Sequence, residues 1–308
     1  MSDPREDFPD FLKEETERYN SSTMVPVNAS LLERLLRRRA APQKMHPNPD
    51  DEFTWPSVGP NYGIVSKYEQ MYTHYGTMTE WHGMGSSEEP LMVQKVLPDG
   101  FMLLNGHHRW AAYMRLGVTK KVRIEIINLT KETDIERMLQ QAMNTKRVSL
   151  DLDEVVFAGE EEEASEPLRP SLFGNKYRER IRAGVPALLN HLSNAGYDIW
   201  VYTSEYYSMD YIRLLLSRYH IRVVGIITGA GRNKKTLNKM RKKVHELIRQ
   251  RYTETIHIDR NAVLRTSDTH GDYEEIPIAA GMEAGWADAA IKAVDTMIKG
   301  MEHEGDGK

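Results

Sequence analysis

The sequence predicts an α/β protein built from two domains, and three observations lead to this prediction. The chain has 308 residues, which is enough for two ordinary domains. From residue 146 onward, apolar strand-like runs alternate with amphipathic helical segments, a pattern typical of a parallel sheet with right-handed crossovers. Before residue 131, two strands joined by a tight turn stand among helices, which indicates a separate α+β domain.

The N-terminal half opens with a polar segment, residues 1–22, which we expect to be loosely ordered or docked as a short helix. The stretch TMVPVNASLLERLLRRRAA, residues 23–41, predicts a short strand and then a helix capped by Asn28 or Ser30. The apolar side of this predicted helix consists of Leu31, Leu32, Leu35 and Leu36. Residues 42–62 are rich in Pro, Asn and Asp and predict a loop, and residues 63–78 are weakly helical.

A strand pair and a helix complete the first domain. The runs EPLMVQKVL and FMLLNG, joined by the turn PDG, predict two neighbouring strands over residues 89–106. A helix follows over residues 108–116, and Gly117 ends it in the manner of a C-terminal cap. The run VRIEIINL, residues 122–129, predicts a closing strand.

The turn between the strand and this helix has the composition of a phosphate-binding site. The start of a helix carries free backbone N–H groups and the positive end of the helix dipole, both of which favour an anion. Histidine and arginine side chains add further donors at the same place. The residues that we expect to hold phosphate are Asn105, Gly106, His107, His108 and Arg109.

A helix around residues 131–143 is predicted to connect the two domains. After it, KRVSLDLDEVVFAG predicts a buried strand that runs into a loop, and GVPALLNHLSNAGYD predicts an amphipathic helix ending at Gly196. The pattern continues as strand IWVYTSEY, helix MDYIRLLLSRYH, strand VVGIITG, a basic helix over residues 234–250 and strand ETIHID. We therefore expect four parallel strands with helices between them.

Composition excludes several classes of protein. The net charge of −4 argues against a chain that is basic along its whole length, as many nucleic-acid-binding proteins are. The absence of cysteine excludes disulfides, thiolate zinc sites and cysteine nucleophiles. No apolar run approaches the ~20 residues that span a bilayer, and the acidic start MSDPREDFPDFLKEE does not resemble a signal peptide. We expect a cytoplasmic protein with no membrane partner.

Polar side chains follow the predicted strands of the second domain, where each strand ends. They are Asp151, Asp153, Thr203, Lys234, Lys235 and Asp259. Ligands of open parallel sheets bind outside the carboxyl ends of the strands, so these groups are candidates for one site. Carboxylate oxygens bind Mg²⁺, one Asp can attack phosphorus while a second moves protons, and a hydroxyl and a lysine can bind phosphoryl oxygens.

These residues also carry a family resemblance. LDLDEVV resembles the first motif, Asp-x-Asp-x-Thr/Val, of the haloacid dehalogenase (HAD) superfamily of phosphatases, over about residues 146–280. The resemblance implies a Rossmannoid three-layer domain with a minimal cap. It implies that Asp151 is the nucleophile, Asp153 the acid/base and Thr203 a phosphate contact. It further implies Lys234 or Lys235 as the third-motif lysine, with Lys239 as an alternative, and a Mg²⁺ site at Asp151, Asp153 and Asp259.

The first domain resembles the ParB/sulfiredoxin fold over about residues 23–130, because a strand precedes its Gly-His-His-Arg turn and a helix and closing strand follow it. That resemblance implies binding of ATP, ADP or another nucleotide by residues 105–109. Sulfiredoxin activity needs a cysteine, which this chain lacks. A further branch of the fold consists of small-molecule kinases, and Glu33 is a candidate carboxylate base for such a reaction.

The predicted organisation is a polar segment 1–22, a ParB/sulfiredoxin-like domain 23–130, a connector helix 131–145, a HAD-like phosphatase domain 146–300 and a disordered tail 301–308. The leading hypothesis is a two-domain phosphoryl-transfer protein: a Mg²⁺-dependent phosphomonoester hydrolase with a nucleotide-binding domain that is a candidate kinase. Its substrate would be a small phosphorylated metabolite or a nucleic-acid end. The alternative is a nucleotide-sensing or nucleic-acid-binding protein whose HAD-like domain is not catalytic.

Overall fold

The structure is a computed structural model that describes residues 7–21, 24–78, 89–159, 164–169, 179–229, 234–267, 273–278 and 285–305. The chain is a mixed α/β protein and forms two compact units. The first unit contains residues 1–129 and 232–236, and the second contains residues 130–231 and 237–308. None of the helices in the described ranges combines the length and the apolar character needed to cross a bilayer.

The first unit is built on a mixed sheet. Its elements are α1 (Phe8–Ser21), β1 (Val25–Pro26), α2 (Leu31–Leu36), β2 (Arg39–Ala40), β3 (Met45–His46), α3 (Tyr62–Tyr75), β4 (Leu91–Leu97), β5 (Phe101–Asn105), α4 (His107–Arg115) and β6 (Val122–Ile126). The strand order is β2-β6-β4-β5-β3, with β1 added along β4. The predicted strand pair is confirmed as β4 and β5, which are antiparallel, and the predicted loop 42–62 contains the short strand β3.

The core of the first unit forms around α4. Trp110 is fully buried and packs near Phe8 of α1 and Phe53, while its indole N–H donates to the carbonyl of Pro42 at 3.0 Å. The polar N-terminal segment therefore contributes an apolar face, Phe8 and Leu12, to this core. Burial of α4 fixes the position of the turn that precedes it.

The helix α2 has the opposite orientation to the one that its leucine pattern suggests. None of its residues is buried, and all four leucines are exposed. Its polar side is held against the domain instead, because Glu33 accepts a hydrogen bond from Lys95 of β4 at 2.7 Å and Arg37 lies over the Phe101 ring. The tertiary ion pair decides which face of this short helix is turned outward.

The second unit is built on a six-stranded sheet of order β12-β11-β10-β7-β8-β9. Its elements are α5 (Glu132–Gln140), β7 (Lys146–Asp151), α6 (Val185–Asn194), β8 (Tyr197–Tyr202), α7 (Met209–Ser217), β9 (Gly225–Ile227), α8 (Lys234–Arg251), β10 (Glu254–Ile258), β11 (Ala262–Ser267), β12 (Tyr273–Pro277) and α9 (Trp286–Gly305). The first three residues of α8, up to Thr236, are grouped with the first unit. The strands β10, β7, β8 and β9 are parallel, as the alternating pattern predicts. β11 and β12 extend the sheet antiparallel.

The strand β7 lies in the middle of this sheet and is buried on both faces. Val148 and Leu150 have no exposed surface and pack with Leu188 and Leu192 of α6 in the main core of the unit. The predicted connector helix is α5, and its Ile135 joins a smaller core in the second unit with Trp200 and Tyr252. Because β7 is buried on both faces, the backbone position of the residues that follow it is fixed.

Candidate active site

The carboxyl ends of three adjacent strands carry the predicted site residues of the second unit. Asp151 is the last residue of β7, Thr203 follows the end of β8, and Asp259 follows the end of β10. Register pairs Asp151 with Tyr202, and Leu150 with Ile258, so the three strands end at the same level. Because these strands are parallel neighbours, their polar ends share one edge of the sheet.

Asp151 begins a tight helical turn. Residues Leu152–Val156 form a single π-helical turn, and Oδ1 of Asp151 accepts the backbone N–H groups of Asp153 at 2.7 Å and Glu154 at 2.9 Å. These bonds satisfy donors at the start of the turn and fix the carboxylate. Both end on Oδ1, so Oδ2 is the oxygen that remains for phosphorus or a cation.

Asp153 is joined to Thr203 by a hydrogen bond. The Thr203 side chain is fully buried, its hydroxyl donates to Oδ2 of Asp153, and it accepts the backbone N–H of Glu205 at 2.9 Å. Partial burial, followed by the nearby carboxylates of Asp151, Glu205 and Glu179, raises the pKa of Asp153. A raised pKa increases the protonated fraction of this carboxyl group near neutral pH, which suits a group that donates and accepts protons.

Asp259 caps the turn between β10 and β11. Its Oδ1 accepts the backbone N–H groups of Asn261 at 2.6 Å and Ala262 at 2.7 Å. Asp151 and Asp259 are both close enough to the phenol of Tyr202 to raise its pKa, after burial, which is the larger cause. Both carboxylates therefore lie near Tyr202 at the same edge of the sheet.

The donor set at this edge is the type that Mg²⁺ prefers. Within the described part of the chain, no three Asp, Glu or His side chains are gathered closely enough to form a ready-made ion cage. Mg²⁺ commonly takes only one or two carboxylates and completes its coordination with waters and substrate phosphate. Asp151 and Asp259, as hard oxygen donors on adjacent strands, match that requirement.

The predicted lysines lie at the start of α8. Lys234 and Lys235 are the first two residues of this helix. Their side chains lie outside the part of the chain whose side chains the structure describes, as does that of Lys239. The assignment of the third-motif lysine stays a prediction.

Several residues near the site were not singled out in the sequence. Tyr207 lies close enough to Glu179 and Asp153 for these carboxylates to raise its pKa, after burial, and its ring stacks on Tyr211 at 6.0 Å between centroids. The Tyr211 hydroxyl donates to Glu179. The run SEYYSMDY, which follows Thr203 after β8, could have indicated these residues, because it places three tyrosines within eight residues of the predicted threonine.

Arg182 is a second residue that the sequence analysis missed. It is buried, and its guanidinium donates to the carbonyls of Val155 at 3.0 Å, Glu154 at 2.9 Å and Phe157 at 3.2 Å. These carbonyls belong to the π-helical turn that carries Asp153 and to the residue after it. A single buried cation thus holds the backbone on which the candidate acid/base group stands.

In the first unit, the predicted phosphate turn begins α4. Gly106 has a φ of +92°, and a Cβ at this position would lie 2.5 Å from Cδ2 of Leu91, so glycine is required here. The side chain of Asn105 accepts the backbone N–H of Gly106 at 2.7 Å. The conformation of the turn is set by these two residues.

The two histidines of the turn are held by their neighbours. His107 is buried beside Phe53, its Nδ1 lies 3.7 Å from Oδ2 of Asp51, and burial lowers its pKa to about 4. Its Nε2 is buried and has no hydrogen-bond partner within the described residues. Nε2 of His108 accepts the backbone N–H of Asn61 at 3.1 Å, and burial lowers the pKa of this ring as well. Both imidazoles are therefore mainly neutral at pH 7.

The Arg109 guanidinium donates to backbone carbonyls and does not extend outward from the turn. Its guanidinium bonds the carbonyl of Glu89 at 2.5 Å and that of Pro90 at 3.4 Å, and it lies 4.0 Å from the Glu89 carboxylate. These contacts fix the segment that enters β4. The donors at the turn that remain for an anion are the backbone N–H groups at the start of α4 and the Nδ1–H of His108, whose Nε2 is the acceptor of the Asn61 bond.

Comparison with known proteins gave no match, whether with protein-family models, with curated proteins or with solved structures.

Proposed function

We propose that the second unit is a Mg²⁺-dependent phosphomonoester hydrolase of the HAD type that works through an aspartyl-phosphate. The observation that carries the proposal is the position of Asp151, Asp153, Thr203 and Asp259 after three adjacent parallel strands, with Thr203 bonded to Asp153. Its substrate class is a small phosphorylated metabolite or a nucleic-acid end.

The proposed reaction has two steps. In the first, a carboxylate oxygen of Asp151 attacks phosphorus, the bond from phosphorus to the leaving oxygen breaks, and Asp153 gives its proton to that oxygen. In the second, Asp153 accepts a proton from water as the water oxygen attacks phosphorus. Phosphate leaves and the carboxylate of Asp151 is regenerated.

Asp153 is supported in the proton-transfer role by its surroundings. Burial and three neighbouring carboxylates favour its protonated form, and the buried hydroxyl of Thr203 holds its Oδ2. Asp151 and Asp259 would hold Mg²⁺, with Asp153 as a further predicted ligand. When bound, the cation offsets the repulsion between an anionic nucleophile and an anionic phosphate.

The test is Mg²⁺-dependent release of phosphate from an aryl phosphate by the full chain. We expect Asp151→Asn to abolish the activity, since an amide is a poor nucleophile. The matched control is Glu154→Gln, because Glu154 stands in the same turn and contributes its backbone N–H, not its side chain, to Asp151. Activity that survives in Asp151→Asn, or an inactive wild-type protein in the presence of Mg²⁺, would refute the proposal.

A second proposal concerns the first unit: the turn of residues 105–109 binds the phosphates of ATP, ADP or another nucleotide, and this unit is a candidate small-molecule kinase. Support comes from the glycine-enforced start of α4 and from the buried, unpaired Nε2 of His107 in the described residues. If ATP or ADP binds while no phosphomonoester is hydrolysed, the alternative of a nucleotide sensor or nucleic-acid-binding protein with a non-catalytic partner domain is favoured.

Calorimetric titration of the full chain with ATP and with ADP tests this second proposal. We expect His108→Ala to weaken binding by roughly tenfold, the cost of about one hydrogen-bonded contact at the turn. His74→Ala, on the exposed end of α3, is the control. Equal affinities of the wild-type protein and the His108→Ala variant for ATP and ADP would show that the turn does not bind the nucleotide.

A further inference from the structure

The helix α2 presents a continuous aliphatic stripe to its surroundings. Leu31, Leu32, Leu35 and Leu36 are between 44% and 75% exposed, and the spacing i, i+1, i+4, i+5 places them on one side of the helix. Among the side chains that the structure describes, no other helix or strand exposes four large aliphatic residues. Single exposed leucines are ordinary on protein surfaces, whereas these four form one contiguous apolar patch.

The outward orientation of the leucine stripe is enforced by contacts on the opposite side of the helix. Glu33 bonds Lys95 of β4 at 2.7 Å and lies 3.5 Å from Arg37, whose guanidinium covers the Phe101 ring at 4.7 Å. The Nε of Arg34 is also buried. Because the charged residues face the domain, the leucines cannot turn inward without breaking these contacts.

The apolar surface continues beyond the stripe. Val25 and Leu97 are cross-strand partners on β1 and β4, and they are 56% and 48% exposed. Leu97 stands two residues after Lys95, which places it on the face of β4 that holds α2. The stripe alone exposes on the order of 500 Å², which is within the range of the largest apolar patches on monomers. Two such surfaces facing each other reach the ~1,000 Å² of a specific interface.

We propose that the leucine stripe of α2 is a symmetric dimer interface that pairs with the same stripe of a second copy of this chain. The stripe is aliphatic and carries no charge of its own, so its complement is another aliphatic surface. Within the described residues, the matching surface is the stripe itself. A two-fold axis through α2 brings the four leucines of each copy together in one self-complementary contact.

The charges beside the stripe favour this occupant over an anionic membrane. Three arginines follow α2, but Arg37 pairs with Glu33 and covers Phe101, and Arg39 donates to the carbonyl of Lys121. Arg38 also donates to the chain, through its Nε to the carbonyl of Leu35. Of the three, Arg37 is balanced by Glu33, which leaves the exposed Arg38 and Arg39, fewer than the roughly four to eight cations that typically bind an anionic lipid surface.

The test measures the mass of the full chain by sedimentation equilibrium over about 1–100 µM, the range in which weak dimers dissociate. We expect the wild-type protein to reach twice the 35.5 kDa of the chain. The double variant Leu32→Glu, Leu36→Glu changes the two most exposed leucines and is expected to raise the dissociation constant at least ~100-fold. Circular dichroism checks that its fold is unchanged.

The matched control is Leu214→Glu, which changes a leucine of α7 that is 48% exposed and belongs to the second unit. This variant is expected to dimerise like the wild-type protein. A wild-type chain that is monomeric at all concentrations overturns the proposal, and so does a double variant that dimerises normally. A monomeric wild-type chain that floats with anionic phospholipid vesicles would assign the stripe to a membrane instead.

Discussion

The hydroxyl of Thr203 is hydrogen-bonded to Oδ2 of Asp153, across 50 residues of sequence. The bond joins the loop after β8 to the turn after β7. Thr203 has no exposed surface, so the bond is shielded from water on its side. The two candidate catalytic segments therefore hold each other in register. Asp151 stands at the start of the same turn, so its position depends indirectly on this bond.

Removal of the Thr203 hydroxyl should impair both stability and turnover. Thr203→Val keeps the shape of the side chain but leaves Oδ2 of Asp153 and the N–H of Glu205 without their partner. We expect a loss of about 1–2 kcal/mol in the free energy of unfolding by urea and a fall in kcat of roughly 100-fold on an aryl phosphate. Thr203→Ser restores the hydroxyl and should recover most of both. A Val variant with wild-type kcat would exclude the hydroxyl from the site.

The raised pKa of Asp153 leads to a prediction about stability and pH. A carboxyl group whose pKa is higher in the folded state stabilises the fold at low pH and loses that contribution as the pH rises through its folded pKa. In the absence of metal, Asp153→Asn should therefore be more stable than the wild-type protein at pH 7.5. Because the group is only partly buried, we expect the gain to be small.

Urea unfolding of both proteins in EDTA at pH 5 and pH 7.5 measures this effect. The advantage of the variant should shrink toward the lower pH. An advantage that grows as the pH falls would mean that the pKa of Asp153 is lowered, in conflict with the electrostatics of the site.

Arg182 should be a residue on which the second unit depends for stability. Its guanidinium forms three bonds to carbonyls at 2.9–3.2 Å and is buried. Arg182→Met removes the charge, keeps much of the packing and leaves three carbonyls unpaired, so we expect a loss of about 3 kcal/mol in the free energy of unfolding. Arg180→Met, two residues earlier, is the control. Equal thermal midpoints for the two variants would contradict the role given to Arg182.

His107 should make the first unit sensitive to acid. Burial lowers its pKa from 6.5 to about 4, so its contribution to stability is complete above pH 6.5 and is lost as the pH falls toward 4. Its neighbours are Asp51, which opposes this shift, and His108, which adds to it. The loss attributable to His107 is up to about 3 kcal/mol.

Denaturant unfolding between pH 7 and pH 4.5 measures the sensitivity to acid. His107→Phe, which replaces the imidazole with an uncharged ring beside Phe53, should unfold with a flatter pH dependence than the wild-type protein. His257 also has a pKa lowered to about 4 by burial, and it belongs to the second unit, so some dependence will remain. Identical pH profiles for the wild-type protein and the variant would contradict this account of His107.

Most of the backbone framework could be predicted from the sequence because it follows from local patterns. The run KRVSL, residues 146–150, before Asp151 and Asp153 predicts a buried strand with carboxylates at its end, and β7 with Asp151 has that form. The turn PDG between two apolar runs likewise predicts the β4–β5 pair. The antiparallel strands β11 (AVLRTS) and β12 (YEEIP) were not predicted, because both are short and neither alternates regularly between apolar and polar residues.

The contacts that set the candidate site could not be predicted, since they depend on register and on distant partners. The bond from Thr203 to Asp153 requires that β7 and β8 align Asp151 with Tyr202. The burial of Arg182 depends on carbonyls more than 24 residues away, as its bond to Phe157 shows. The outward face of α2 depends on Glu33 meeting Lys95, 62 residues further along the chain.

The proposed aspartyl-phosphate is tested most directly by locating the phosphoryl group that is trapped on the protein during turnover. The full chain is mixed with Mg²⁺ and an aryl phosphate, quenched in acid within the first turnover, digested and analysed by mass spectrometry. We expect a phosphoryl group on Asp151, and none at this position in the Asp151→Asn protein. Turnover without any phosphorylated Asp151, or with the phosphoryl group on another residue, would contradict it.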